Sequence, residues 1–273
     1  MDVSRLPLPA TTPLLDLARE IAVACGRLIT QERPAHVDVA ATKSSPVDVV
    51  TIMDRRSEEL ATSLLRAARP HDGLLGEEGT FEEGDSGVSW LIDPIDGTVN
   101  YLYGTPEYSV SVAAVIGDPR GEFRPVAGCV YQPDHEELFW ATADGPAVAA
   151  IGGRERILHA NPATDLSLSL VATGFSYRAE VRAEQAQILT RILPAVRDIR
   201  RHGSAALELC SVAAGRQDAY FERGLNAWDL AAGWLIAERA GVTVRGRAGG
   251  VPNADLLLAG RDSTLDSLES LLG

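Results

Sequence analysis

The sequence predicts an α+β protein whose C-terminal half has an α/β arrangement, and three observations support this fold class. Two segments near the N-terminus carry apolar residues at helical spacing, and several strand-like segments then follow without helices between them. Beyond Leu166, strand-like and helix-like segments alternate. We therefore predict an N-terminal half over residues 1–150, with two long helices and a mainly antiparallel sheet, and an α/β half over residues 151–273. The glycine pair Gly152-Gly153 marks the boundary between them.

Both N-terminal helices have recognisable ends. Thr12 is a suitable N-cap for the first helix, with Pro13 at its first helical position. Its apolar face consists of Leu14, Leu17, Ala18, Ile21, Cys25 and Leu28. The second helix is predicted to follow Asp54, as a possible N-cap, and to end before Pro70. Its solvated face is predicted to carry Arg55, Arg56, Glu58 and Glu59.

The remaining elements follow in order along the chain. Strands are predicted at residues 88–92, 108–116, 126–131, 137–142 and 147–151, with a polar loop at residues 81–87. In the second half we predict a strand at 167–173, a helix at 182–193, a strand at 198–201 and helices at 205–214 and 230–240. Asp229 then lies at or near the N-cap of the last of these helices, and Gly241 ends it.

The composition excludes several classes of function. With 38 acidic and 25 basic residues, the chain has a net charge of −13, which argues against nucleic acids and anionic membranes as partners. The three cysteines, Cys25, Cys129 and Cys210, are widely spaced without a CxxC pattern, so we expect free thiols. The N-terminus lacks the pattern of a signal peptide, and no uncharged run approaches the about 20 residues of a membrane span. We expect a soluble cytoplasmic protein.

Two aspartates in the segment WLIDPIDGTVNY, residues 90–101, are candidate metal ligands. Asp93 and Asp96 follow an apolar strand, and Pro94 is expected to end the strand's hydrogen-bond ladder so that the chain turns after Asp93. Hard cations such as Mg²⁺ prefer oxygen ligands, and the carbonyl of Ile95 adds one to the two carboxylates. The alternative is that Asp-Pro and Asp-Gly are simply turn formers.

A glycine and a threonine follow these aspartates at once. Gly97 allows backbone N–H groups to approach an anion closely, and a helix that begins near Thr98 adds its N-terminal dipole. The segment therefore predicts a metal site beside a phosphate-binding turn.

Four segments of the chain, in this order, resemble the motifs of the inositol monophosphatase family, which comprises Mg²⁺-dependent, lithium-sensitive phosphatases. They are residues 43–54, 76–79, 90–101 and 228–233. The stretch of residues 202–222 is especially similar to family members of actinobacterial type. The resemblance implies a layered αβαβα sandwich of the kind shared with fructose-1,6-bisphosphatases, and a homodimer. Val99 and Tyr101 replace the threonine and phenylalanine that are common in the family, and we interpret both changes as conservative.

The resemblance also implies roles for individual residues. One Mg²⁺ ion would be held by Glu77, Asp93 and the Ile95 carbonyl, a second by Asp93, Asp96 and Asp229, and a third, weaker ion would lie near Glu77. The catalytic residues would be Asp54, Thr98 and Glu77, with Thr98 hydrogen-bonded to Asp54 to orient the attacking water. Lys43 would lie near the phosphate or the third ion, and Glu78 beside the ligands, although either side chain is alternatively a solvated surface group.

The substrate residues implied by the resemblance favour a cyclitol phosphate. They are Asp96, Gly97, Thr98, Gly203, Ser204, Ala205 and Glu222. Glu222 stands seven residues before Asp229, where the family has a glutamate that accepts a hydrogen bond from an inositol hydroxyl. The expected reaction is hydrolysis of inositol 1-phosphate. Related proteins hydrolyse histidinol phosphate, fructose 1,6-bisphosphate or adenine nucleotides, and some bacterial relatives use the fold to bind proteins, so these alternatives stay open.

Overall fold

The computed structural model describes residues 3–43 and 49–273 of the chain. Residues 44–48, which belong to the first of the four family-like segments, lie outside the described residues. The helices are α1 (Thr11–Gln31), α2 (Ile52–Ala68), α3 (Thr98–Tyr103), α4 (Ala179–Ile192), α5 (Ala205–Ala213), α6 (Ala227–Arg239) and α7 (Asp262–Leu272). Short 3-10 turns lie at Val3–Arg5, Pro133–His135, Leu166–Leu168, Leu193–Ala195 and Arg247–Gly249.

The strands of the first half are β1 (Ala41–Thr42), β2 (Val49–Val50), β3 (Gly73–Gly76), β4 (Phe81–Glu82), β5 (Val88–Asp96), β6 (Ser109–Gly117), β7 (Phe123–Gln132), β8 (Glu137–Thr142), β9 (Val148–Ile151) and β10 (Arg154–Ile157). Those of the second half are β11 (Leu170–Thr173), β12 (Asp198–Arg200), β13 (Ala219–Glu222), β14 (Thr243–Arg245) and β15 (Leu257–Gly260). The predicted loop at residues 81–87 thus begins with a short edge strand, and the predicted strand at 167–173 begins with a 3-10 turn.

A large sheet occupies the first half of the chain. In the described residues its eight strands have the order β10-β9-β8-β7-β6-β5-β3-β4, and all neighbours are antiparallel except β3 and β5. The predicted antiparallel sheet is therefore confirmed. Gly152 and Gly153 have positive φ angles in the turn between β9 and β10, so this sheet continues to Ile157. The division of the chain into two domains at residue 150 stays a prediction.

A smaller sheet and three layers of helices complete the fold. The small sheet has the order β12-β11-β13-β15-β14, in which β11 is parallel to both of its neighbours. Helices α1 and α2 pack on the outer face of the large sheet, α5 and α6 pack between the two sheets, and α7 packs on the small sheet beside α4. These contacts confirm the αβαβα layers.

Three apolar cores fill the spaces between these layers. The core under α1 and α2 includes Ile21, Trp90 and Val112, the central core includes Leu91, Leu209 and Trp234, and the outer core includes Val171, Ile188 and Leu265. Cys25, Cys129 and Cys210 are free and buried, as the sequence predicts. Within the part of the chain that the structure describes, no helix has the length and apolar character of a membrane span.

The first two helices begin earlier than the sequence suggests. Helix α1 begins at Thr11 after Ala10, so Pro13 is its third residue and not its first. A proline is tolerated there because the first four N–H groups of a helix have no acceptor within the helix. Helix α2 begins at Ile52 and is capped by Thr51, which places Asp54 at the third helical position and not at the N-cap.

Strand β5 does not end at Pro94, contrary to the sequence-based expectation. The strand pairs with β6 at Asp93 and again at Asp96, and the register shifts between these two residues. Such a bulge accommodates a proline because the residues it contains need not donate to the ladder. The bulge places both aspartates, with the intervening Ile95, immediately before α3.

Glu58 is buried, whereas the sequence-based prediction placed it on the solvated face of α2. Its side chain lies on the inner side of the helix and the residue is 3% exposed. The carboxylate accepts hydrogen bonds from the backbone N–H groups of Glu78, at 2.8 Å, and Thr80, at 3.1 Å. Glu58 thereby fixes the turn after β3 that carries Glu77 and Glu78.

We expect the Glu58→Ala variant to lose about 1–3 kcal/mol of unfolding free energy, because two backbone N–H groups at this turn lose their acceptor. Urea denaturation followed by circular dichroism measures this loss. The exposed neighbour Glu59 on the same helix provides the control, and Glu59→Ala is expected to stay within about 0.5 kcal/mol of wild type. Equal losses in the two variants would contradict the assignment.

Candidate active site

A cleft with a volume of about 590 Å³ opens where strands β5, β11 and β13 end and helices α3, α5 and α6 begin. Many of the residues singled out from the sequence line it: Lys43, Glu77, Asp93, Ile95, Asp96, Gly97, Thr98, Gly203, Ser204, Ala205, Glu222 and Asp229. Asp54 and Glu78 do not line the cleft, but each contacts a residue that does, namely Thr98 and Lys43 respectively. The fold therefore brings these distant segments to one place.

Asp54 and Thr98 are joined in a buried hydrogen-bond network. The Thr98 hydroxyl lies 3.1 Å from Asp54 Oδ1 and 3.1 Å from the Ile95 carbonyl, so its one proton has two acceptors. Asp54 Oδ2 accepts from the Thr51 backbone N–H at 2.8 Å and from the Thr51 hydroxyl at 2.6 Å. Burial raises the pKa of Asp54 to about 7. The carboxyl group is thus held in one orientation against Thr98.

The two aspartates of β5 are held by backbone and hydroxyl donors. Asp93 Oδ1 accepts from the Ile95 N–H at 3.0 Å. Asp96 Oδ2 accepts from the Ser204 hydroxyl at 2.6 Å and from the Ala206 N–H at 2.7 Å. Burial raises the pKa of Asp96 to about 7, and burial together with the charges of neighbouring carboxylates raises that of Asp93 well above its ordinary value. The start of α5 is therefore tied directly to β5.

Lys43 bridges the two glutamates of the turn after β3. Its ammonium group donates to Glu77 Oε1 at 2.8 Å and to Glu78 Oε1 at 2.6 Å. Burial lowers the pKa of Lys43, but the charges and hydrogen bonds of both glutamates outweigh it and raise that pKa above its usual value. The Glu78 side chain is only 6% exposed, so the alternative of a solvated glutamate is wrong. Lys43 likewise has its ammonium group engaged, and is not a free surface lysine.

Asp229 and Glu222 enter the cleft from α6 and β13. Asp229 occupies the third position of its helix, not the N-cap, and its Oδ2 accepts from the Asn226 N–H at 2.7 Å. Burial and neighbouring carboxylates raise the pKa of Asp229 well above its ordinary value. Glu222 accepts from the Tyr220 hydroxyl at 2.5 Å, and burial raises the pKa of Glu222 to about 7. Two fixed carboxylates thus line this side of the cleft.

The chemistry of these donors fits divalent metal ions. Glu77, Asp93, Asp96 and Asp229 face one cleft, and the charge of Glu77 raises the pKa of all three aspartates, after the larger effect of burial. Clustered carboxylates of this kind suit a hard cation such as Mg²⁺. As positioned among residues 3–43 and 49–273, no three acidic, histidine or cysteine side chains surround a single point. In the hydrogen bonds described above, each of the four carboxylates uses only one oxygen, so the second oxygen stays available to an ion.

Several residues that shape the cleft were not identified from the sequence. Asn100 donates to the carbonyls of Glu107 and His202, both at 2.6 Å, and so joins the segment after β5 to the loop before α5. No local sequence pattern around Asn100 predicts such a long-range contact. Gly97, by contrast, is predicted from the sequence; it has φ 96°, and a Cβ there would lie 2.8 Å from the Glu107 carbonyl, so the turn requires glycine. Thr51 did leave a signal, because Thr-x-x-Asp is a capping-box pattern.

Comparison with known proteins gives a consistent result. The model of the inositol monophosphatase family matches residues 10–270. The inositol-1-monophosphatase SuhB of Mycobacterium tuberculosis is 45% identical over 218 residues, which cover 76% of this chain and 73% of that protein. A protein of Vibrio cholerae named Nus factor SuhB is 37% identical over 240 residues, which cover 87% of this chain and 86% of that protein.

The solved structures agree with the sequence relatives. That of Mycobacterium tuberculosis SuhB superposes with a TM-score of 0.80, at 37% identity, and covers 96% of both chains. The match of the family model, over residues 10–270, includes every segment that lines the cleft. The chain therefore belongs to the inositol monophosphatase family.

Proposed function

We propose that this protein is a Mg²⁺-dependent hydrolase of inositol 1-phosphate, converting the phosphomonoester and water into inositol and inorganic phosphate. Membership of the family supports a phosphatase. The observation that carries the proposal is a single cleft that brings together four candidate metal carboxylates, the Thr98 hydroxyl beside Asp54, and Glu222 at the end of β13. Its volume of about 590 Å³ lies in the usual range for small-molecule sites.

The proposed metal ligands divide into two sets. Glu77, Asp93 and the Ile95 carbonyl would hold one Mg²⁺ ion, and Asp93, Asp96 and Asp229 a second, with a third near Glu77. Bound Mg²⁺ would supply Lewis-acid stabilisation of the developing charge and acidify water. The Lys43 ammonium group donates to Glu77 Oε1 and Glu78 Oε1 in the structure, and Lys43 is proposed to lie near the phosphate or the third ion.

Thr98 and Asp54 are the proposed groups that orient the attacking water. When the Thr98 hydroxyl donates to Asp54 Oδ1, its oxygen is left free to accept a hydrogen bond from water. Asp54 has a pKa of about 7, so its carboxyl group can exchange a proton near neutral pH. The Thr51 donors keep Asp54 from rotating away from Thr98.

The substrate's alcohol portion is proposed to lie between the Gly203 loop and Glu222. The backbone at Gly97 and Thr98 would hold the phosphate, and Ser204 and Ala205, at the start of α5, would lie beside it. Glu222 would accept from a ring hydroxyl, which favours a polyol over an apolar alcohol. Histidinol phosphate and fructose 1,6-bisphosphate are the alternative substrates.

A second candidate role is supported by a relative's name. The Vibrio cholerae protein is called a Nus factor, and its similarity extends over 87% of this chain, which supports a protein-binding role in addition to catalysis. We favour catalysis because the clustered carboxylates and the Asp54–Thr98 network serve no evident purpose in a surface contact. Assembly as a homodimer and a cytoplasmic location belong to the same proposal.

Phosphate release from inositol 1-phosphate is the decisive measurement, made beside histidinol phosphate and fructose 1,6-bisphosphate with and without Mg²⁺. We expect Mg²⁺-dependent turnover that is fastest with inositol 1-phosphate. The Asp93→Asn variant should lose at least about 100-fold in rate, since a ligand shared by two ions is replaced. Asp118→Asn, at an exposed turn, is the matched control and should keep wild-type turnover. Buffer-level rates with wild type, or full activity of Asp93→Asn, would refute the proposal.

The metal-free protein should become less stable as the pH rises from about 5 to about 7.5. Asp54 and Asp96 have folded-state pKa values of about 7, above the ordinary 3.8, so the folded state binds protons more tightly and loses stability through this interval. Mg²⁺ should raise the thermal midpoint more at the upper pH, because it competes with protons for the same oxygens. Thermal unfolding with EDTA or excess Mg²⁺ tests both trends, and a pH-independent metal effect would contradict them.

Lithium should inhibit the Mg²⁺-activated reaction at submillimolar to millimolar concentration, as the family's lithium sensitivity implies. Steady-state rates across a lithium series, with potassium chloride at equal ionic strength as control, measure the effect. Equal curves for the two salts would count against the proposed ion sites.

A further inference from the structure

A tyrosine on the same strand contacts Glu222 from the protein interior. Alternate residues of a strand point to the same face, so Tyr220 and Glu222 in β13 lie side by side. The Tyr220 hydroxyl donates to Glu222 Oε2 at 2.5 Å. Tyr220 is fully buried and its ring packs in the central apolar core. Its hydroxyl is therefore held in place by the core and reaches the carboxylate from behind the cleft wall.

The hydrogen bond from Tyr220 favours the ionised form of Glu222. Burial raises the pKa of the Tyr220 hydroxyl well above its ordinary value, so this hydroxyl keeps its proton and can donate at neutral pH. Burial also raises the pKa of Glu222 to about 7, and the hydrogen bond from Tyr220 is the largest of the effects that lower it. An ionised carboxylate can only accept hydrogen bonds. Tyr220 thus keeps Glu222 in the form suited to accept from a hydroxyl group.

The backbone at Gly174 leaves room for the Glu222 carboxylate. Gly174 directly follows β11, the strand that pairs with β13. A Cβ at Gly174 would lie 1.9 Å from Glu222 Oε2 and 2.2 Å from Glu222 Oε1. Gly174 is not among the glycines with positive φ angles, so its backbone suits an alanine and the conflict lies with the carboxylate alone. The position of Glu222 therefore depends on a glycine below it and on a tyrosine beside it.

We propose that Tyr220 is a positioning residue for the alcohol part of the substrate: its hydrogen bond to Oε2 holds the Glu222 carboxylate against Gly174 and leaves Oε1 to accept from a hydroxyl of the polyol. Tyr220 is buried and its one hydroxyl proton is used in this bond, so it acts through Glu222 and not on the substrate directly. Neither residue is a proposed metal ligand. The inference rests on the proposed function and extends it to a residue outside the cleft wall.

The Tyr220→Phe variant removes the hydroxyl and keeps the ring in the core. We expect the KM of inositol 1-phosphate to rise about 10-fold with kcat within about 2-fold of wild type, because a charged acceptor loses its fixed orientation while the proposed metal ligands are unchanged. Cyclohexyl phosphate has a ring of the same size without hydroxyl groups. Its KM, or its inhibition constant where turnover is slow, should be the same in both proteins.

Tyr108→Phe is the matched control. Tyr108 is also fully buried, and its hydroxyl donates to a different carboxylate, Asp134 Oδ1, at 2.8 Å. The control therefore loses the same kind of hydrogen bond away from Glu222. Both variants should have a lower thermal midpoint, but Tyr108→Phe should leave the KM ratio of the two phosphate esters at its wild-type value.

Two further variants show whether Tyr220 acts through Glu222. Gly174→Ala should raise the KM of inositol 1-phosphate as Tyr220→Phe does, because the added methyl group displaces the carboxylate. In a Glu222→Ala background, neither Tyr220→Phe nor Gly174→Ala should raise this KM further, since the carboxylate on which both act is gone.

The outcomes separate this inference from the proposed function. An unchanged KM of inositol 1-phosphate in Tyr220→Phe, or an equal rise for cyclohexyl phosphate, overturns the positioning role while wild-type turnover leaves the proposed function intact. A loss confined to kcat, or a further rise of KM in the Glu222→Ala background, overturns it as well. Absence of Mg²⁺-dependent turnover of inositol 1-phosphate by the wild type overturns both.

Discussion

Mutual repulsion among four carboxylates is the constraint on which the rest of this structure depends. Glu77, Asp93, Asp96 and Asp229 come from three separate segments and face one cleft, although burial already disfavours the charged forms of the three aspartates. The fold opposes this repulsion with fixed donors, which are backbone N–H groups, the Ser204 hydroxyl and the Lys43 ammonium group. Each carboxylate therefore stays in place by local hydrogen bonding, before any cation contributes.

Helix starts provide much of this local support. Asp54 and Asp229 occupy the third positions of α2 and α6, where each carboxylate accepts a backbone N–H at the preceding N-cap. At this position a carboxylate satisfies a donor that the helix itself leaves unpaired, and it interacts favourably with the helix dipole. Asp229 lines the cleft and Asp54 contacts Thr98, which lines it, so the residue that stabilises each helix start also belongs to the candidate site. Capping and the proposed catalytic roles are compatible because they use the same orientation of the side chain.

The sequence predicted which helices and strands are present better than it predicted where each one begins and ends. The antiparallel sheet and the alternating second half followed from periodicity, which is a local property, whereas most of the segments that line the cleft followed from the resemblance to the family. The continuation of β5 through Pro94 did not, because a bulge depends on the partner strand β6. Glu58 is different, since Asp54, Glu58, Ala61 and Leu65 recur at helical spacing and all four are buried. The helical spacing of Glu58 predicts burial while its charge predicts exposure, and the structure follows the spacing.

The charge distribution explains how an acidic protein accommodates an anionic substrate. The chain has a net charge of −13, so its average field repels phosphate. Inside the cleft the balance is local: the carboxylates with raised pKa values favour bound cations, and Arg201 and Arg223 add positive charge to the cleft wall. If Mg²⁺ binds as proposed, it competes with protons for the same oxygens, so the repulsion that weakens the metal-free fold would strengthen cation binding at neutral pH. The acidic cleft is thus destabilising by itself and becomes electrostatically suited to an anion only with its cations in place.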